Sequence, residues 1–198
     1  CVLIGTQMIA KGHHFPCLSL VAIVDVDSGL YSVDFRSEER LAQLVFQVAG
    51  RAGRMNSDGE VLLQTHQPDN PFFKDLLSKG YRLFAKSSCE MRKQINLPPY
   101  WRMVFFQAEA KTEKQALEFL NDVKSRLRQH ASDDFHVMGP VAAPMLKRKG
   151  YFRVQLLLKA PLRSVLQAAL KPVIKDIRGI KLARGLRWML DIDPQEMM

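Results

Sequence analysis

The chain has 198 residues, 47% hydrophobic and 25% charged, with a formal net charge of +9. That balance excludes a collagen-like, low-complexity or disordered chain and suits one large or two small globular domains. No apolar run approaches the roughly 20 residues needed to span a membrane, and no signal-peptide pattern is present. The three cysteines, Cys1, Cys17 and Cys89, stand far apart without CxxC spacing. This argues against a disulfide framework or a zinc site within the chain and fits a reducing cytoplasm.

CVLIGTQ (1–7) reads as a strand already under way, so the chain is read as the C-terminal piece of something longer. LSLVAIVDVD (18–27) is a nearly continuous apolar and β-branched run, the pattern of a strand buried on both faces of a parallel sheet. SEERLAQLVFQVAGRAG (37–53) reads as a helix, with Ser37 as N-cap, Glu38 and Glu39 in the first turn, and a stripe of Leu41, Leu44, Val45 and Val48. GEVLLQT (59–65) is another strand, and residues 70–95 are helical with a break near Gly80. LPPY (97–100) is the best domain boundary, because two prolines stop any helix. It separates residues 1–97 from residues 98–198.

Beyond it, WRMVFFQAEA (101–110) is a strand and residues 112–130 form an amphipathic helix. Its apolar face is Ala116, Leu117, Leu120, Val123 and Leu127. FHVMGPV (135–141) and YFRVQLLLKA (151–160) are strands. In the second, Phe152, Val154, Leu156 and Leu158 alternate with Arg153, Gln155 and Lys159. Residues 162–177 form a helix and LRWMLDID (186–193) the last strand. The expected fold class is therefore α/β, ending in a small α+β domain of β-α-β-β-α-β order.

The charge is unevenly placed. Residues 1–97 hold 11 Lys and Arg against 10 Asp and Glu, and residues 98–198 hold 18 against 10. A basic second domain points to nucleic acid. Within it, LKRKGYF (146–152) places Lys147, Arg148 and Lys149 in a glycine-containing turn, followed by Tyr151 and Phe152. Cations for phosphates beside an aromatic able to stack on a base are the composition of a single-strand contact. The bland alternative is a basic hairpin tip with Phe152 in the core.

QVAGRAGR (47–54) sets Arg51 and Arg54 three residues apart at the end of a helical pattern, with Gly50 and Gly53 allowing close approach of the backbone. Two planar guanidinium forks suit phosphate oxygens. His13 and His14 invite a metal reading, but adjacent residues on an extended backbone point apart. Asp25 and Asp27 end an apolar strand with period-two spacing and so are expected to share a face.

GTQMIAKGHHFP (5–16), VDVDSGLYSVDFRSEER, QVAGRAGR, the QTHQPDNP turn and the LPP linker, in this order, resemble the C-terminal part of the PriA family, the superfamily 2 primosomal replication-restart DNA helicases. The resemblance runs over the whole chain. It is specific through residue 71 and looser beyond 101, where GPV (139–141) and WMLDIDP carry it.

It implies that residues 1–97 are the C-terminal part of RecA-like helicase lobe 2, with motifs V and VI, and that residues 98–198 are a basic domain contacting DNA and the single-stranded-DNA-binding protein. Gln47, Arg51 and Arg54 would face the nucleotide, one arginine as finger, with Arg54 favoured for the γ-phosphate. Gly5, Thr6, Gln7, Lys11 and Gly12 would couple ATP to DNA. Arg163 and Gln167, one turn apart, would grip the acidic tail of the single-stranded-DNA-binding protein.

ATP and Mg²⁺ would be shared with a first lobe that also supplies the catalytic carboxylates, which leaves Asp25 and Asp27 as structural or inter-motif contacts. The zinc of the family's cysteine-rich insertion would not be ligated by this chain. The implied activity is that of a cytoplasmic 3′→5′ DNA helicase acting at abandoned forks and starting primosome assembly. Because GxxxxGK[ST] is absent, these residues alone are not expected to hydrolyse ATP. The competing reading is a non-enzymatic nucleic-acid-binding adaptor that retains helicase motifs. A lesser one is another superfamily 2 motor such as a branch-migration translocase.

Overall fold

A computed structural model describes residues 2–6, 18–50, 52, 59–180 and 182–197. They fall into two compact units, Cys1–Cys89 and Glu90–Met198. The boundary lies inside a helix, a few residues ahead of the LPP segment.

In the first unit β1 (Leu20–Ile23) pairs in parallel with β2 (Glu60–Leu63), Leu20 opposite Glu60 and Ile23 opposite Leu63. Between them lie a four-residue turn of helix, α1 (Asp27–Leu30), and α2 (Ser37–Ala49). The apolar stripe of α2 buries Leu41, Ala42, Val45 and Val48 as its spacing requires. Helix α3 (Pro71–Gln94) carries a non-helical residue, Gly80 at φ 74° and ψ 169°, where the sequence reading expects a break. Glycine alone adopts that conformation without penalty. Val26, Leu41, Ala42, Val45, Phe72, Phe73, Leu76 and Phe84 form the core of this unit.

Two expectations are corrected here. Residues 2–6 are exposed and in no strand. A strand exists only through pairing, and among the described residues β1 has β2 as its one neighbour. The strand expected over 18–27 is four residues long, and among the described residues Leu20, Ala22 and Leu62 are exposed on one face while Ile23 and Leu63 pack on the core.

The second unit has the β-α-β-β-α-β order read from the sequence. Its elements are β3 (Arg102–Ala110), α4 (Glu113–Gln129), β4 (His136–Arg148), β5 (Tyr151–Ala160), α5 (Arg163–Gly179) and β6 (Arg187–Ile192). The sheet runs β4-β5-β3-β6 with every neighbour antiparallel. Thr112 caps α4 by accepting from Gln115 N. Both helices bury one face, Leu120, Val123 and Leu127 from α4 and Leu166, Leu170, Val173 and Ile177 from α5. They pack on Val104, Phe106, Ala108, Val154, Leu156 and Leu158 of the central strands.

The other sheet face departs from the expected polar alternation. Gln107, Arg153 and Gln155 are buried there, at 5, 7 and 6% exposure. β4 runs seven residues beyond its expected end. It shifts register between Met138 and Val141 and again between Ala142 and Lys147, so its sequence lacks a clean two-residue period. Gly139, at φ +100°, sits in the first shift, where a Cβ would meet Gln155 O at 2.8 Å.

Candidate functional site

The sequence-derived nucleotide site lies at the end of α2. Its start is fixed by DFRS (34–37). The Asp34 carboxylate, 1% exposed, accepts from Arg36 N at 3.0 Å and faces Arg40 Nη1 at 3.2 Å. The Asp34 carbonyl accepts from Ser37 N and Ser37 Oγ at 2.9 and 2.7 Å. Asp34, two residues ahead of the formal cap, thus meets the N–H groups of Arg36 and Ser37, and Ser37, expected as N-cap, is the first helical residue. At the far end Gln47 is exposed, and Gly50 N donates to Phe46 O at 3.0 Å. Arg51 and Arg54 lie outside the described residues. Of the upstream motif Gly5 and Thr6 are exposed, while Gln7, Lys11, Gly12, His13 and His14 also lie outside the described residues.

Asp25 and Asp27 do not share a strand face. β1 stops at Ile23, Asp25 takes φ 53°, and Asp27 opens α1. Gln64 draws the backbone out of the strand, its Oε1 accepting from Asp25 N at 3.2 Å and its carbonyl from Val26 N at 3.2 Å. Asp27 ties the loops after β1 and β2 together. It accepts from Thr65 Oγ1 at 2.5 Å and from His66 N at 2.8 Å, with His66 Nδ1 at 2.9 Å. The His66 backbone bond, then the Thr65 hydroxyl, hold its carboxyl below the usual carboxylate range. With both oxygens engaged Asp27 joins the two loops. Among the described residues no group of three or more His, Cys, Asp and Glu side chains gathers to hold a metal.

The basic residues converge in the second unit. The hairpin between β4 and β5 turns on Lys149 and Gly150, both at positive φ, 49° and 79°, the geometry of a tight two-residue loop. Lys147 and Arg148 therefore sit on β4, paired with Phe152 and Tyr151. Lys147 Nζ stands 5.0 Å from the Phe152 ring centroid. The sheet then adds residues that local sequence reading misses. Lys111 follows β3 and Arg187 opens β6, and both cations stand over the Tyr151 ring, at 4.0 and 4.2 Å.

One carboxylate serves this corner. Glu109 faces Arg187 Nη2 at 3.2 Å and Arg153 Nε at 3.6 Å, the latter an ion pair too long for a hydrogen bond. Gln107 donates to Glu109 Oε1 at 3.2 Å and accepts from Arg153 Nη2 at 3.1 Å. Lys111, Lys147, Arg148, Lys149 and Arg187 are all exposed; Lys147 lies with Phe152 on the opposite face of the sheet from this network. The signal for Lys111 and Arg187 is the strand order, since the end of β3 and the starts of β5 and β6 meet only through antiparallel pairing.

Arg163 is the first residue of α5 and Gln167 lies one turn on; both are exposed. No side chain caps this helix start, so its backbone N–H groups and Arg163 face the same solvent. At the opposite end of the sheet from the hairpin, Asn96, His136, Val137, Met138 and Lys159 line an open cavity of about 180 Å³. Burial pushes the Lys159 ammonium below its usual range, and its Nζ donates to Ile95 O at 3.3 Å.

Residues 93–195 match the family described as the primosomal protein N C-terminal domain. The chain is similar to the replication restart protein PriA of Haemophilus influenzae, 45% identical over 198 residues, 99% of this chain and 27% of that protein. The PriA of Chlamydia trachomatis is 36% identical over 193 residues, 98% of this chain and 25% of its own length. That of Bacillus subtilis is 30% identical over 197 residues, 100% and 24%. The chain thus spans about a quarter of the length of the curated relatives it matches.

Proposed function

Because this chain belongs to the PriA family, through a primosomal protein N C-terminal domain, we propose that it is the C-terminal part of an ATP-dependent 3′→5′ DNA helicase. The whole protein would recognise stalled or abandoned replication forks and begin primosome assembly in the cytoplasm. The second unit would be its nucleic-acid-binding domain. One observation carries this: Arg148 pairs with Tyr151 at the hairpin and Lys111 and Arg187 stand over that same ring, with Lys147 and Lys149 exposed in the adjoining strand end and turn. Clustered exposed cations release counterions from a phosphate backbone, which supplies affinity without sequence preference.

The first unit would complete an ATP site. Gln47 at the solvent end of α2 and the following Arg51 and Arg54 would face the phosphates, with the arginines neutralising charge at the γ-phosphate. ATP with Mg²⁺ supplies the phosphoryl group when bound. Gly5, Thr6, Gln7, Lys11 and Gly12 would link that site to the DNA strand. Arg163 and Gln167, beside the uncapped start of α5, suit the carboxylate-rich tail of a single-stranded-DNA-binding protein.

The test is a salt titration of single-stranded DNA binding by this chain and its Lys147→Ala/Arg148→Ala/Lys149→Ala variant. Removing three phosphate contacts should shallow the log–log slope by about 2. An unchanged slope would remove the hairpin from the interface. In the longer protein Arg54→Ala should abolish DNA-stimulated ATP hydrolysis and leave DNA binding intact. Persistence of wild-type turnover would return the chain to an adaptor role.

A further inference from the structure

Tyr151 is the natural choice for a residue that stacks on a nucleobase, yet its ring is already engaged. Lys111 Nζ and the Arg187 guanidinium stand 4.0 and 4.2 Å from its centroid. Three segments distant in sequence build this arrangement: the end of β3, the first residue of β5 and the lead into β6. Gly185, at φ +84°, lets the last of these pass close. A Cβ there would meet Lys111 Cγ at 3.3 Å and Tyr151 Cε1 at 3.9 Å. Glu109, directly opposite Arg187 in the β3–β6 register, fixes that guanidinium from the side at 3.2 Å.

Long cationic side chains normally lose rotamer entropy when they bind. Here they are held in advance, one on a ring and the other on a ring and a carboxylate. Arg187 spends one nitrogen on Glu109 and keeps other donors of its planar fork, with 61% of its side chain exposed. Arg148 of the hairpin pairs in register with Tyr151 itself, so the two groups of cations adjoin. A polymer with a charge at every nucleotide can engage both at once. An acidic peptide does so only where its sequence permits.

We propose that Lys111 and Arg187, mounted on Tyr151, form a preorganised seat for a phosphodiester of a nucleic-acid strand, with Tyr151 as pedestal rather than base-stacking surface and Glu109 as a positioning residue. The seat rests on the nucleic-acid-binding reading above and names a contact separate from the hairpin triplet.

The experiment is anisotropy of a labelled single-stranded oligodeoxynucleotide with this chain across a salt series. Lys111→Ala/Arg187→Ala should weaken binding on the order of tenfold near 0.1 M salt and shallow the slope by about 0.7, the value for one phosphate. Tyr151→Leu should weaken binding in the wild-type background and add nothing in the Lys111→Ala/Arg187→Ala background. Tyr151→Phe, which keeps the ring, should bind as wild type.

A double variant with wild-type slope overturns the seat, and loss of slope in the hairpin variant then shows that the basic-domain reading survives. A Tyr151→Leu loss of equal size in both backgrounds overturns the pedestal and restores base stacking. If the wild-type chain shows no salt-dependent binding and neither cation set matters, the underlying reading falls as well.

Discussion

The two units solve the problem of a hydrophobic sheet differently. In the second, α4 and α5 cover one face, and Met103, Phe105, Gln107 and Gln155 are buried on the other. In the first, β1 and β2 form a two-stranded parallel pair with Leu20, Ala22 and Leu62 exposed on one face. Parallel strands ordinarily have both faces covered. Among the described residues of the first unit α2 packs with α3, and Asp27 and Asp34 tie the loops, whereas the second unit buries one whole sheet face under its helices.

The largest expected effects separate the two cores. Both tryptophans, Trp101 and Trp188, lie in the second unit, so tryptophan fluorescence reports its unfolding alone. Phe106→Ala, at a fully buried position, should cost about 3–5 kcal/mol and move the fluorescence transition in urea. Leu76→Ala, equally buried in the first unit, should cost about 2–5 kcal/mol and move an earlier far-ultraviolet dichroism transition, leaving fluorescence in place. A joint shift in both signals would break the comparison.

Smaller effects sharpen it within the first unit. Asp34→Ala removes the acceptor for Arg36 N and the partner of Arg40 and should cost about 1–2 kcal/mol. Asp34→Asn should lose less, because its Oδ1 still accepts the backbone bond. Asp27 gives a pH signature. Its carboxyl is depressed in the folded chain, so its contribution is fully present above the unfolded carboxylate value of about 3.9 and is lost as pH falls through the lower folded value. Acid unfolding followed by far-ultraviolet dichroism should be less steep below that point in Asp27→Asn. An identical acid limb would mean that the loops are held otherwise. Least of all, Lys149→Asn should stabilise the second unit by about 0.5 kcal/mol, since asparagine tolerates positive φ in a tight hairpin better than lysine.

What was legible in the sequence follows the same division. β5 occupies residues 151–160 as expected, because Phe152, Val154, Leu156 and Leu158 keep a two-residue period along it. Helix α4 shows its apolar stripe equally plainly. β4 was read short because two register shifts and two prolines break its period. The alternation puts Arg153 and Gln155 on one face but does not show what lies over it; across the sheet Arg153 bonds Gln107 and pairs with Glu109.

In the first unit Asp25 was misplaced because the Gln64 amide, 39 residues away, captures its N–H. For the candidate interface, Lys147, Arg148, Lys149 and Tyr151 were found as a local cluster. Lys111 and Arg187 were not, because only the pairing of β3 with β5 and β6 brings them to the same ring.

The irregularity of β4 has a consequence for behaviour at high concentration. It is the outer strand of its sheet, thirteen residues long, and Met138, Val141, Met145 and Leu146 are exposed along it. A straight strand of that length and composition invites another copy to add to it edge to edge. Pro140 and Pro144 remove two amide donors, the register shifts bend the ladder, and Lys147 and Arg148 place charge at its end. The features that hid this strand from its sequence are those that keep it from seeding aggregates.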